Sequence, residues 1–89
     1  MVKIVRISAV WCPSCIVTYN DFIKLKDVYD AEFVELDYDY DDIEKFNVGD
    51  ILPIIVVLDD DENELVRIIG EKKFNNIKEI IDEKTKNIN

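Results

Sequence analysis

The pentapeptide Trp11-Cys12-Pro13-Ser14-Cys15 constrains this 89-residue chain more than any other stretch. It holds the only two cysteines and the only tryptophan. An apolar, β-branched run, Val2 to Ile7, comes before it, and Ser8-Ala9-Val10 leads into it. An amphipathic stretch from Ile16 to Tyr29 follows. Pro13 suits the first turn of a helix, where a missing N–H costs nothing and φ is already helical. The motif therefore stands at a strand-to-helix junction. Two thiols two residues apart at such a junction, in a chain that reads as α/β, mark a dithiol/disulfide redox centre.

The remaining segments supply the α/β frame. Ile16, Tyr19, Phe22, Ile23 and Lys26 recur at three- and four-residue spacings, which predicts one helix from Pro13 to about Val28–Asp30 with that stripe inward. Glu32 to Asp37 alternates as a second strand. Asp41 or Asp42 is placed to cap a short helix, Ile43 to Asn47, closed by Gly49. Ile54 to Leu58 and Glu64 to Ile69 read as a hairpin around the polar turn Asp59 to Asn63. Gly70 breaks the last strand, and Phe74, Ile77, Ile80 and Ile81 mark a final helix over about Lys73 to Lys86. The order β-α-β-α-β-β-α implies a parallel first pair with a right-handed crossover. The hairpin adds an antiparallel side. The expectation is one α/β domain over residues 1–89, a mixed four-stranded sheet with helices on both faces.

Charge narrows the partners. Twenty acids against eleven bases give a net charge of −9. Such a surface repels phosphate backbones and anionic lipids, so neither nucleic acid nor membrane is expected as a partner. The longest apolar run, Ile51 to Leu58, contains Pro53 and is too short to cross a bilayer. No targeting segment is visible, so a cytoplasmic protein is expected if the chain is complete. In that reducing compartment two cysteines point to a transient catalytic disulfide or a metal site, not a permanent staple. The acidic runs Asp37–Asp42 and Asp59–Glu64 lack the loop pattern of a calcium site and read as solvated loops.

Taken together, Trp11-Cys12-x-x-Cys15 after the first strand, Pro53 opening the third strand and Gly70 before the last helix make the chain resemble a thioredoxin-fold protein over essentially its whole length. The extra N-terminal strand and helix of typical thioredoxins are missing, as in glutaredoxins and the smallest thioredoxin-like proteins. The resemblance implies a thiol–disulfide oxidoreductase with no bound cofactor, working as a monomer on disulfide-containing protein substrates. A thiol reductase or glutathione would supply its electrons. Cys12 is then the nucleophile: a thiolate is the attacking species, and the unpaired N–H groups at a helix start favour a negative sulfur. Cys15, one turn further and less exposed, is the resolving thiol that attacks the mixed disulfide. The resemblance also implies a substrate-binding rim of Trp11, Pro13, Leu52, Pro53 and Gly70.

Several residues keep two readings. Trp11 is either an exposed apolar platform beside the nucleophile, as the resemblance implies, or part of the core. The resemblance implies a cis Leu52–Pro53 bond, leaving the Leu52 backbone free to pair with an extended substrate; the position alone suits an ordinary trans proline at a strand edge. Arg6 stands where thioredoxins carry a buried acid that assists proton transfer. Either it lies under the thiols and stabilises thiolate, or it pairs with Glu35 or Asp37 or snorkels to water.

Three functional alternatives remain open from sequence. A glutathione-dependent, glutaredoxin-like reductase fits the Cys-Pro-x-Cys form, but the chain offers only Ile69-Gly70-Glu71 where glutaredoxins carry paired glycines. A metal-binding CxxC module has two thiolates and no histidine to work with, half a tetrahedral zinc site. An interaction module would carry the cysteines as vestiges.

Overall fold

The computed structural model describes residues 1–85; the expected end of the last helix at Lys86 lies outside the described residues. Four strands form one sheet: β1 (Lys3–Ser8), β2 (Glu32–Asp37), β3 (Ile54–Leu58) and β4 (Glu64–Ile69), in spatial order β2-β1-β3-β4. β1 and β2 run parallel, with Arg6 beside Glu35 and Ser8 beside Asp37. β3 is antiparallel to both β1 and β4. These pairings and the mixed sheet are those the sequence predicted.

Alternation along the strands builds two cores. Val5, Ile7, Ile54 and Val56 face one side of the sheet. Ile4, Ile55, Val57, Val66 and Ile68 face the other. Every residue of β3 is buried because it is a central strand with side chains packed on both faces, which is why Ile54 to Leu58 is continuously apolar.

The second face is covered by α2 (Tyr19–Leu25) and α3 (Phe74–Thr85), through Phe22, Leu25, Ile77 and Ile81. On the first face, a three-residue 3₁₀ turn, Glu44–Phe46, replaces the short helix expected at Ile43 to Asn47 and buries Phe46. Asp42 Oδ1 accepts from the Glu44 N–H at 3.2 Å, but the cap residue is Ile43 and no side chain caps the turn, so neither Asp41 nor Asp42 is the cap the sequence suggested. The stop is Asn47, left-handed at φ 52°, and not Gly49. Asparagine is one of the few residues that tolerates that conformation, so the turn ends before a full α-helical turn can form.

The helix after the motif is also two pieces, α1 (Pro13–Val17) and α2, joined at Thr18 with φ −100° and ψ 4°. Thr18 Oγ1 donates to the Ser14 carbonyl at 2.5 Å. A hydroxyl that bonds back to the preceding turn bends a helix. The bend rotates the inward stripe to Cys15, Thr18, Phe22 and Leu25, while Ile16 and Tyr19, expected inside, are exposed. Elsewhere α3 is tied down by side chains from α2 and the segment after it. Asp21 Oδ1 accepts from the Phe74 N–H at 2.9 Å, and Tyr29 Oη donates to Asp82 at 2.5 Å.

Candidate functional site

The motif occupies the C-terminal end of β1, where the chain turns into α1. Cys12 is the residue that caps α1 (φ −95°, ψ 110°), and its Sγ accepts from the Cys15 N–H at 3.2 Å. Extended backbone at a cap, followed by Pro13 at the first helical position, is what the sequence order Cys-Pro supports. Both thiols are free and both are buried, Cys12 at 5% exposure and Cys15 at 4%. Cys15 was expected to be the less exposed of the two, but both are covered almost equally. The end of β1 and the start of β3 meet beneath the motif, and both sulfurs join the same cluster as Ala9, Leu52 and Ile54.

Pro53 closes the site from the opposite side. The Leu52–Pro53 bond is cis, and the Leu52 carbonyl lies 3.8 Å from Cys12 Sγ. The Pro53 carbonyl in turn accepts from the Gly70 N–H at 2.8 Å. Gly70 has φ +87°, a left-handed conformation that disfavours ordinary side chains. A Cβ there would meet Ile51 only in ordinary contact at 3.5 Å, so backbone angle and not space selects glycine. Cys12, Leu52, Pro53 and Gly70, far apart in sequence, are thus one continuous feature of the fold.

Trp11 is exposed, not core. Its indole N–H donates to Asp39 Oδ2 at 2.6 Å, and its ring meets Tyr38 edge-on at 6.1 Å. No sequence pattern marks Tyr38 or Asp39 as site residues, because their nearness depends on the parallel Ser8–Asp37 register. Val10 and Ile16, which line a cleft with Cys15, and Ile51, next to Leu52, are exposed apolar residues like Trp11.

Arg6 is the residue that sequence reading leaves between two placements. It is buried at 3% exposure, so it does not snorkel to water. No carboxylate forms an ion pair with it among the described residues. Nη2 donates to the Cys15 carbonyl at 2.6 Å, and the guanidinium lies over the rings of Tyr19 (5.5 Å) and Phe22 (5.6 Å). Its charge therefore sits by Cys15, on the sheet face opposite the core of the two sulfurs. Burial pushes the Cys15 thiol up to about 11, helped by the hydrogen bond with Cys12; the Arg6 charge pulls the other way and is the smallest influence.

A four-stranded mixed sheet with a cysteine pair at the first strand-to-helix junction and a proline facing it defines the thioredoxin fold. No family model matches this sequence, and no curated protein sequence does either. Solved structures do. The chain is similar to reduced Schistosoma mansoni thioredoxin pre-protein at 23% identity and TM-score 0.80, covering 92% of this chain and 77% of that one. It is similar to a mutant thioredoxin from Halobacterium salinarum NRC-1 at 21% identity and TM-score 0.81, covering 94% and 74%. A third similar structure is of a complex of ferredoxin:thioredoxin reductase with thioredoxin f2, at 20% identity and TM-score 0.78, covering 92% and 76%. The chain thus has the thioredoxin fold. No helix among the described residues is long and apolar enough to cross a membrane.

Proposed function

We propose that this protein is a thiol–disulfide oxidoreductase acting on protein disulfides, with Cys12 as nucleophile and Cys15 as resolving thiol. The observation that carries the reading is the setting of Cys12 Sγ, which accepts a backbone N–H at 3.2 Å and faces the Leu52 carbonyl at 3.8 Å. A donor aimed at sulfur gains strength when the sulfur is ionised. In the reaction the Cys12 thiolate attacks one sulfur of the substrate disulfide. A Cys12–substrate bond forms and the other substrate sulfur leaves as a thiolate. Cys15 then loses its proton and attacks Cys12 Sγ. The Cys12–Cys15 bond forms, the second substrate sulfur departs with the electron pair, and two electrons have passed to substrate.

Exposed Trp11, Pro13 and Ile51 offer apolar contact to a polypeptide laid over the buried sulfurs. The Leu52 backbone and Gly70 border the same groove, where an extended segment pairs as an added strand. Regeneration needs a thiol reductase or glutathione. The reductase complex of a similar fold favours the first, and the single glycine of Ile69-Gly70-Glu71 weakens the second. The protein works as a monomer in a reducing compartment such as the cytoplasm.

Turbidity of insulin reduced by dithiothreitol tests the reading. The wild type accelerates precipitation, Cys12→Ser abolishes the acceleration, and Cys15→Ser accumulates a mixed disulfide visible by mass spectrometry. Stoichiometric metal binding with no acceleration sinks the proposal in favour of a metal module. Turnover with glutathione and not with a thioredoxin reductase assigns the glutaredoxin-like reading.

A further inference from the structure

Arg6 and Cys15 share a cleft of about 360 Å³, lined also by Glu35, Asp37 and Tyr19. At about 30 Å³ per molecule the cleft has room for several waters, so a proton leaving Cys15 has a route to solvent. Among the described residues, the charged and titratable groups lining the cleft with Cys15 are few, and Lys72 shares a separate cavity with Arg6 beside Phe22 and Ile77. β1 brings Arg6, the α1 cap brings Cys12, α2 brings Tyr19, and β2 brings Glu35 and Asp37. From β3 and the turn before it come only apolar Ile54 and Leu52. Asp37 is already engaged: its Oδ1 accepts from the N–H groups of Asp39 and Tyr40 at 2.8 and 3.2 Å. Glu35 is exposed and stands directly beside Arg6 in the strand register.

Resting on the dithiol reading above, we propose that Arg6 is the positioning residue of the resolving step: its fixed charge, seated by the Cys15 carbonyl and two aromatic rings, stabilises the Cys15 thiolate that attacks the mixed disulfide. Arginine stays charged at any relevant pH and cannot accept a proton. Its action is electrostatic, and the proton goes to water in the cleft. The effect is greatest in the mixed disulfide. There Cys12 is bonded to substrate and has neither a thiol proton nor a charge to oppose ionisation of Cys15. Glu35 carries the opposite charge on the same cleft, so it works against the thiolate.

Two substitutions therefore have opposite signs. Stopped-flow reaction with an equimolar amount of 2,2′-dithiodipyridine, an uncharged disulfide, releases one thiopyridone as the first thiolate attacks and a second as Cys15 attacks Cys12 Sγ of the mixed disulfide. The resolving rate is followed from about pH 5 to 10, a range that spans thiol titration, in wild type, Arg6→Met, Arg6→Lys and Glu35→Gln. We expect Arg6→Met to move the pH–rate profile to higher pH, slowing resolution at neutral pH by roughly tenfold per unit moved. Arg6→Lys restores most of the shift, and Glu35→Gln moves the profile to lower pH. A purely structural role for Arg6 leaves the profile in place, and that result overturns the proposal. A Glu35→Gln variant slowed across the range overturns it too, because it makes Glu35 a proton acceptor. Where Arg6→Met is poorly folded, Glu35→Gln still gives the sign, and an unmoved Glu35→Gln profile overturns the proposal. Absence of a second thiopyridone in wild type refutes the dithiol reading itself, a different outcome from an unshifted profile.

Discussion

The seat of Arg6 can be measured apart from any redox chemistry. Its guanidinium lies 5.6 Å from the centre of the Phe22 ring at 3% exposure, and Phe22 is itself only 1% exposed. A desolvated cation over an aromatic face is stabilised by about 2 kcal/mol or more, against about 0.5–1 at the surface. Arg6→Met keeps most of the volume but removes the charge. It also removes the bond to the Cys15 carbonyl, about 1.5–3 kcal/mol for a charged donor. Relief of a buried cation offsets part of that loss. The net effect of the single change is therefore uninformative. Phe22→Leu costs about 2–3 kcal/mol, since it shrinks a core side chain and breaks the edge-on pair with Phe33 at 5.9 Å. The double variant isolates the pair. It should be less destabilised than the sum of the singles by about 1.5 kcal/mol, discounted from the full cation–π figure because Tyr19 still holds the guanidinium. Urea unfolding of the reduced protein reads this. At a slope of about 1.5 kcal/mol per molar, the coupling appears as about 1 M in the midpoint. Additivity within about 0.5 kcal/mol refutes the reasoning, for it means that the ring does not seat the charge.

Two further outcomes follow from the same structure. Cys15 is pushed up from 9.0 to about 11 by burial, so the folded state holds its proton more tightly than the unfolded chain. The stability this confers is full below pH 9.0 and lost as pH rises towards 11, at most about 3 kcal/mol at about 1.4 per pH unit. Urea midpoints of the reduced protein should therefore fall between about pH 8 and about pH 10.5, and fall less in Cys15→Ala. The Tyr29 hydroxyl donates to Asp82 at 2.5 Å, with the Lys78 carbonyl 3.2 Å away, and burial raises it above the usual tyrosine range. Tyr29→Phe should cost about 1–2 kcal/mol and speed hydrogen exchange in α3 more than in β3; uniform exchange across both elements contradicts that local role.

Much of the architecture was legible because its causes are local. Period-two alternation marks β2 and β4, and continuous apolarity marks β3; their bounds match the expected ones. The cysteine pair and Gly70 were equally plain, since a cap, a proline and a left-handed turn each demand particular residue types within a few positions. The helix after the motif misled for a reason that is local in geometry but not in pattern. Ile16, Tyr19, Phe22 and Ile23 fit a straight helix, yet the Thr18 hydroxyl bonds to Ser14 and rotates the axis. Ile16 is then exposed and Cys15 turns inward. The left-handed Asn47 shortened the next helix by a comparable local device.

The sequence alone determined that a dithiol sits at a strand-to-helix junction in a mixed α/β sheet, because periodicity and capping are properties of neighbouring residues. It also put Arg6, and not an acid, on the strand that leads into those thiols. Where that charge points was a tertiary matter. Arg6 reaches the Cys15 carbonyl, and Glu35 comes beside it, only because α1 packs back over β1 and β2 pairs with β1 in one parallel register. The same holds for Leu52 opposite Cys12 and Asp39 beside Trp11. Contacts between residues far apart in the chain depend on how the elements dock, which no short-range pattern encodes. The Trp11–Cys15 motif marks a cysteine pair at a strand-to-helix junction, and the docking around it places Arg6 by the Cys15 carbonyl and Glu35 beside Arg6.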